Sequence, residues 1–170
     1  MTTGRAFVFG DDIDTDVLAP GRYMSGPIEI LARHCLEVVE PGFADAVRPG
    51  DIVVAGANFG IGSSREQAAL ALKTLGVTGV VARSFGGIFH RNAINLGLPV
   101  FTGNARGAVE AGDKVEIDAG RARLVNHTRK TEVPLDPLPP FLLEMLSDGG
   151  LVAHLEKRFK RERLQKEART

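Results

Sequence analysis

The fold is decided between Ile52 and Phe101. This stretch opens with Ile52-Val53-Val54-Ala55-Gly56 and passes through Asn58-Phe59-Gly60-Ile61-Gly62-Ser63-Ser64-Arg65-Glu66-Gln67-Ala68-Ala69. It continues with the apolar, β-branched run 77–82 and ends in Leu98-Pro99-Val100-Phe101. Short apolar runs bounded by glycine read as buried strands. After the first of them, Ala68, Ala69, Leu72 and Leu75 recur at helical spacing. A helix is therefore expected from about Ser64 to Leu75, stopped by Gly76. A shorter helix is expected from about Ile88 to Leu96, closed by Gly97. The order β-α-β-α-β predicts a mostly parallel α/β core.

Working outward, Arg5–Phe9 reads as a strand running into Gly10-Asp11-Asp12, and 11–27 as a loop rich in aspartate, glycine and proline. Ile28, Leu31, Ala32, Cys35 and Leu36 fall at helical spacing, so a helix is expected over 28–38. Past residue 105 the pattern alternates. Lys114–Asp118 and Arg121–Val125 flank Ala119-Gly120 as a hairpin. Pro134, Pro137, Pro139 and Pro140 read as a linker, Phe141–Leu146 as the start of a terminal helix, and Gly149-Gly150 as its interruption before 151–169. The expectation is one domain over 1–170, with a core of about 5–150 and a basic helical tail of about 151–170.

Composition narrows the function. The chain has 170 residues, 44% of them hydrophobic, enough for a normal core. Lys+Arg and Asp+Glu are equal at 21 each, so no overall field argues for nucleic acid as partner. No window approaches a membrane span. Met1-Thr2-Thr3-Gly4-Arg5 lacks the pattern of a signal peptide, and a cytoplasmic protein is expected. Cys35 is the single cysteine. It allows no internal disulfide, which fits a reducing compartment, and it cannot by itself hold an iron–sulfur cluster.

The run Gly60–Arg65 places glycines, hydroxyls and an arginine where a helix is expected to start. Backbone N–H groups there attract anions. Ser63-x-x-Glu66 is also the pattern of a capping box, and that reading stays open. A cap leaves the upstream glycines and Arg65 unexplained; an arginine in the first turn opposes the helix dipole by about 0.3–1 kcal/mol. Facing a bound carboxylate, its fork has a purpose. A P-loop is excluded because no lysine follows Gly60 or Gly62. A dinucleotide fingerprint is excluded because Arg65 stands where its third glycine belongs, and a hydrolase elbow because Glu66 follows Arg65. A serine-pair and arginine site for a small carboxylate remains.

Gly60-Ile61-Gly62-Ser63-Ser64-Arg65-Glu66-Gln67-Ala68 resembles the swivelling-domain motif of the aconitase superfamily. Asp12-Ile13-Asp14-Thr15-Asp16, Pro20-Gly21-Arg22-Tyr23, Ala82-Arg83-Ser84-Phe85, Arg91-Asn92 and Asn95-x-Gly97-Leu98-Pro99 resemble its other blocks, in order. The chain is most similar to the branch of 3-isopropylmalate dehydratase small subunits and their homoaconitase-type relatives. The resemblance implies an α/β barrel-like sandwich with a parallel β-α-β core. It implies a hydro-lyase that isomerises a hydroxy-dicarboxylate by dehydration and rehydration, active only with a large subunit as heterodimer or heterotetramer. It places a [4Fe–4S] cluster on that subunit, with no cofactor or metal on this chain.

By motif position, the resemblance makes Ser63 the base, with Ser64 and Arg65 binding a substrate carboxylate. It gives Asp16 the support of a histidine on the large subunit. Asp11, Asp12 and Asp14 are read instead as turn chemistry. Tyr23-Met24-Ser25-Gly26 occupies the specificity loop and matches neither family pattern: relatives acting on an isopropyl group tend to carry apolar residues there, and relatives acting on a tricarboxylate usually carry arginine at the place of Ser25. Its absence here favours a small or apolar γ-group against Met24. That leaves 2-isopropylmalate first, with 2,3-dimethylmalate, citraconate or 2-methylmalate, and homoaconitate as alternatives. A non-catalytic phosphate- or nucleic-acid-binding module is the alternative of another class. The four histidines show no metal-ligand spacing.

Overall fold

In the computed structural model, which describes residues 3–167, a seven-stranded sheet runs in the order β4-β3-β2-β1-β5-β6-β7. Four strands are parallel: β1 (Thr3–Val8), β2 (Ile52–Ala55), β3 (Gly79–Ala82) and β4 (Val100–Thr102). The other three, β5 (Lys114–Asp118), β6 (Arg123–Asn126) and β7 (Thr131–Pro134), are antiparallel and join at β1.

Side-chain alternation explains how this sheet curls. Every residue of β2 and β3 is buried, as expected where both faces of a parallel sheet are covered. Val53, Ala55, Val80, Ala82 and Val100 point to the helices. Ile52, Val54, Val81 and Phe101 point the other way and share one core with Val115, Leu124 and Val133 of the antiparallel strands. Two halves of one sheet can share a core only if the sheet curls, and the result is a half-barrel with helices outside the parallel half. This is the α/β sandwich with a parallel core that the sequence leads one to expect.

The helices in chain order are α1 (Thr15–Leu18), α2 (Ile28–Ala32), α3 (Phe43–Ala46), α4 (Gln67–Thr74), α5 (Gly87–Leu96), α6 (Pro140–Ser147) and α7 (Leu151–Glu167). Several differ from the sequence reading. The supposed loop 11–27 contains α1 and a 3₁₀ turn at Gly21–Tyr23. The helix expected over 28–38 stops at Ala32. Leu36 turns left-handed (φ 61°), and its N–H bonds the Val17 carbonyl at 2.9 Å, so a tertiary contact replaces the next helical turn. The proline-rich linker begins inside β7, whose last residue, Pro134, sits on the edge strand, where its missing N–H matters least. Helix α3 was not expected. Of the expected basic tail, 168–170 lie outside the described residues, as do Met1 and Thr2 of the segment read for a signal peptide.

Three loops gather above the carboxyl ends of neighbouring parallel strands: 9–14 after β1, 56–66 after β2 and 83–86 after β3. Such a crevice is the usual ligand position in open parallel sheets. Phe59, Phe85 and Phe89 pack beneath it, with Phe59 edge-on to Phe89 at 5.3 Å and to Phe85 at 6.1 Å. Each such pair contributes about 0.5–1.5 kcal/mol beyond burial.

Candidate active site

The site is assembled by a short parallel ladder between segments far apart in sequence. Gly60 N–H donates to the Ile13 carbonyl at 2.6 Å, and Thr15 N–H donates to the Ile61 carbonyl at 2.8 Å. The next rung is made by a side chain: Ser63 N–H donates to Thr15 Oγ1 at 2.9 Å. Asp14 fixes the other side of the ladder by capping α1, accepting from the N–H groups of Asp16 and Val17 at 2.8 Å each.

Two positions of this turn require glycine. Gly60 has φ 75°, and a Cβ there would stand 2.2 Å from the Phe89 ring. Gly62 has φ 112°, and its Cβ would stand 2.9 Å from Thr15 Oγ1. The glycines thus serve a left-handed turn laid directly on the aromatic floor and on Thr15.

The helix behind the turn begins later than the sequence implies. Helix α4 starts at Gln67, and Glu66, at the cap position, makes no side-chain cap bond. The capping box is therefore not formed. Ser63 is held by Thr15, and the Ser64 carbonyl accepts from Asn92 Nδ2 at 3.2 Å, so the chain turns helical only past Arg65. Arg65 consequently precedes the helix. Its Nη1 pairs with Asp16 Oδ1 at 2.5 Å and donates to the Ala19 carbonyl at 2.9 Å. No other donor of this guanidinium has a partner among the described residues.

Ser63, Ser64, Arg65 and Asp16 therefore form one cluster. Ser63 and Ser64 are exposed, and Ser63 lies in an open cleft of about 190 Å³ lined by the glycines at 60, 62, 86 and 87 together with Ile61 and Ile88. The cleft is small and shallow, one wall of a site rather than an enclosure. Asp11 and Asp12 brace the neighbouring loop by accepting from Ala57 N–H and Asn58 Nδ2, each at 2.8 Å. The Ala57 N–H bond, aided by Arg83 and Arg106, holds the Asp11 carboxyl below the usual carboxylate range.

The Tyr23–Gly26 loop is held differently. Tyr23 stacks on His34 with ring centroids 3.7 Å apart, and Arg22 lies over the Tyr23 ring at 4.8 Å. Arg22 is ion-paired with Glu37, which also bonds His34 Nδ1 at 2.6 Å. The His34 bond, reinforced by Arg22, lowers the Glu37 carboxyl. Met24 is half-buried against the core, while Ser25 and Gly26 are exposed. The link to the serine turn is Arg65, which grips the Ala19 carbonyl just ahead of the loop.

Residues 36–102 match the Aconitase C-terminal domain. The chain is 50% identical over 160 residues to the 3-isopropylmalate dehydratase small subunit of Moorella thermoacetica, spanning 92% of this chain and 96% of that protein. It belongs to the family of 3-isopropylmalate dehydratase small subunits. The chain is also 48% identical to the methanogen homoaconitase small subunit of Methanothermobacter thermautotrophicus, over 91% of this chain and 90% of that one. The crystal structure of 3-isopropylmalate dehydratase from Methanocaldococcus jannaschii superposes with a TM-score of 0.91 at 41% identity, covering 96% of this chain and 98% of that one.

Two groups at or near the site escape a reading of the sequence. Thr15 is only 2% exposed, a buried hydroxyl between two more accessible aspartates of the Asp14-Thr15-Asp16 block. That burial, invisible in a polar run, was the only signal available. Glu37 escapes because its partners Arg22 and His34 come from a loop and from what the periodicity reads as continuous helix. Cys35 is fully buried, and burial pushes its thiol up, so it is a packed side chain and no ligand. Glu144, Asp148 and His154 come within 4.8 Å of one another, but His154 and Lys157 already pair with Asp148. No helix of the described residues is long and apolar enough to cross a membrane.

Proposed function

We propose that this chain supplies the swivelling half of a 3-isopropylmalate dehydratase. In that enzyme 2-isopropylmalate loses water to the alkene and regains it with the hydroxyl on the neighbouring carbon. Ser63 acts as the base. It takes the proton from the carbon beside the one bearing the hydroxyl, and it returns a proton when water adds back. The observation that carries this reading is an exposed Ser63 hydroxyl fixed at an open cleft with Arg65 beside it, in a chain half identical to a named small subunit over almost its whole length.

Arg65 holds a substrate carboxylate through the donors that Asp16 and Ala19 leave unused, helped by the Ser64 hydroxyl. Asp16 is 73% exposed at its side chain, so its outer oxygen can reach a histidine of the large subunit. This chain offers no thiolate for an iron–sulfur cluster, since its one thiol is sealed in the core. A [4Fe–4S] cluster on the large subunit would supply Lewis acidity toward the departing hydroxyl. The complex is a heterodimer or heterotetramer, and the free buried thiol fits the cytoplasm.

The substrate reading rests on the loop. Arg22 is occupied by Glu37, and Ser25 brings no cation, so a γ-carboxylate finds no bidentate partner here. The methanogen homoaconitase relative is the observation that favours a tricarboxylate instead. Purification with the large subunit under anaerobic conditions, followed by a panel of malate derivatives, separates the two. Preference for 2-isopropylmalate over homoaconitate is expected, and preference for homoaconitate overturns the assignment. Ser63→Ala in the same complex is expected to cut turnover at least about 10³-fold with assembly intact, the scale of losing a group essential to proton transfer.

A further inference from the structure

The chemistry just described asks a serine hydroxyl, ordinarily a very weak acid, to exist as an alkoxide. Something adjacent must stabilise that charge. Thr15 Oγ1 lies 3.0 Å from Ser63 Oγ and 2.9 Å from Ser63 N. It is buried, 2% exposed, and carried on the capped first turn of α1.

We infer that Thr15 is a positioning residue for the base, donating its hydroxyl hydrogen to the Ser63 alkoxide while accepting the Ser63 N–H. The inference rests on the reading of Ser63 as the base. Its direction follows from hydrogen-bond inventory. While Ser63 is neutral, either hydroxyl can donate. Once Ser63 is an alkoxide it can only accept, so the single Thr15 hydrogen must point at it. The Thr15 proton stays on Thr15 throughout; nothing is transferred between the two side chains.

Two further features suit this role. The Thr15 lone pair facing the turn is taken by Ser63 N–H, which fixes Oγ1 in place and sets the distance to Oγ. The backbone N–H of Thr15 is tied to the Ile61 carbonyl at 2.8 Å, and the Asp14 side chain holds the N–H groups after it. The donor is therefore organised before the reaction and pays no reorganisation when charge develops, the condition under which one hydrogen bond is worth most in catalysis. A Cβ at Gly62 would fall 2.9 Å from the same oxygen, so the glycine leaves the space in which Thr15 reaches the serine.

Thr15→Val keeps the branched shape and removes the hydroxyl; Thr15→Ser keeps the hydroxyl. Both are assembled with the large subunit beside wild type and Ser63→Ala, and kcat, KM and the pH dependence of kcat/KM are measured with 2-isopropylmalate. For Thr15→Val, kcat is expected to fall about 10²-fold, the loss typical of one oxyanion donor, with KM within about threefold. Its acid limb should move to higher pH, because the base must be deprotonated to act and an unsupported alkoxide forms less readily. Thr15→Ser should keep kcat within about threefold and leave the limb in place. If Val prevents folding, Thr15→Ala carries the same comparison against Ser.

A hydroxyl-free variant with wild-type kcat, or a Ser variant as impaired as Val, overturns the inference. So does a lowered rate without displacement of the limb, since a merely structural threonine would give that. Full activity of Ser63→Ala removes the base reading and this inference with it. An inactive Ser63→Ala beside an undamaged Thr15→Val removes the inference alone.

Discussion

The two halves of the sheet are held by different means. Over the parallel half, backbone bonds join loops distant in sequence: Gly60 to Ile13, Thr15 to Ile61, and Gly86 N–H to the Phe59 carbonyl at 2.8 Å. Around the antiparallel half, charged side chains do the joining. Asp113 accepts from Glu110 N–H at 2.9 Å, Asn126 Nδ2 at 2.8 Å and Arg129 Nε at 2.7 Å. Arg123 bridges Asp118 and Glu132, and Glu116 meets His127 at 3.0 Å. A backbone web leaves its side chains available, so Ser63 and Ser64 can face outward and Arg65 keeps spare donors. A side-chain web consumes its charges in structure. The charges of the second half are therefore scaffolding, while in the first the proposed chemistry falls to the few side chains left accessible, Ser63, Ser64 and Arg65.

Glycine substitutions break this contrast most sharply. Gly60→Ala forces a left-handed φ on alanine and drives its Cβ into Phe89. It should destabilise the chain by about 1–3 kcal/mol from strain alone and cost at least about tenfold in kcat through displaced Ser63. Denaturant midpoints and turnover of the complex measure both. At Gly120, in the β5–β6 turn, the nearest heavy atom to an added Cβ is 3.7 Å away, an ordinary contact. Gly120→Ala should stay within about 0.5 kcal/mol and leave turnover unchanged. Equal effects at the two glycines would erase the distinction between the halves.

The Tyr23–Gly26 loop, proposed to set specificity, sharpens it next. Its contacts are local, Tyr23 and Arg22 meeting His34 and Glu37, so it can change without disturbing the serine turn. Ser25→Arg should improve kcat/KM for homoaconitate relative to 2-isopropylmalate by about tenfold, the lower range of a new charge-assisted bond. An unchanged ratio would mean that this loop does not meet the substrate.

Acid separates the halves more gently. The Glu110 N–H bond, with Asn126 and Arg129, holds the Asp113 carboxyl at about 2, below the unfolded value of about 3.9. A depressed carboxylate stabilises the fold fully above the unfolded value and loses that contribution as pH falls toward the folded one. Thermal midpoints should drop between about pH 4 and pH 2, and Asp113→Asn should flatten that drop. A variant as acid-sensitive as wild type would remove Asp113 from the cause.

Much of the parallel half was legible because each signal was local. Runs such as Ile52–Ala55 and Gly79–Ala82 are apolar throughout, and Gly60–Arg65 excludes rival motifs residue by residue. What the sequence hid was set by contacts between distant segments. The Ser63–Thr15 rung delays α4 past its apparent cap, and the Leu36–Val17 bond ends a helix that periodicity would extend. Helix α1 was masked by aspartates that serve as its cap and first turn. Strand β7 was masked by Pro134, which an edge tolerates. Among candidate site residues, Ser63 and Arg65 stood out by type and Asp16 only through the resemblance, whereas Thr15 is distinguished only by burial.

Competition between wild-type and Ser63→Ala chains for one large subunit tests most directly whether the serine turn is half of a shared active site. The large subunit is held at fixed concentration, the chains are mixed in varying ratio at constant total excess, and turnover of 2-isopropylmalate is followed. Either chain alone should give no turnover, and the rate of the mixture should fall in proportion to the Ser63→Ala fraction, because the variant docks as well and contributes no base. Turnover by the isolated wild-type chain, or a rate indifferent to the variant's share, would contradict this.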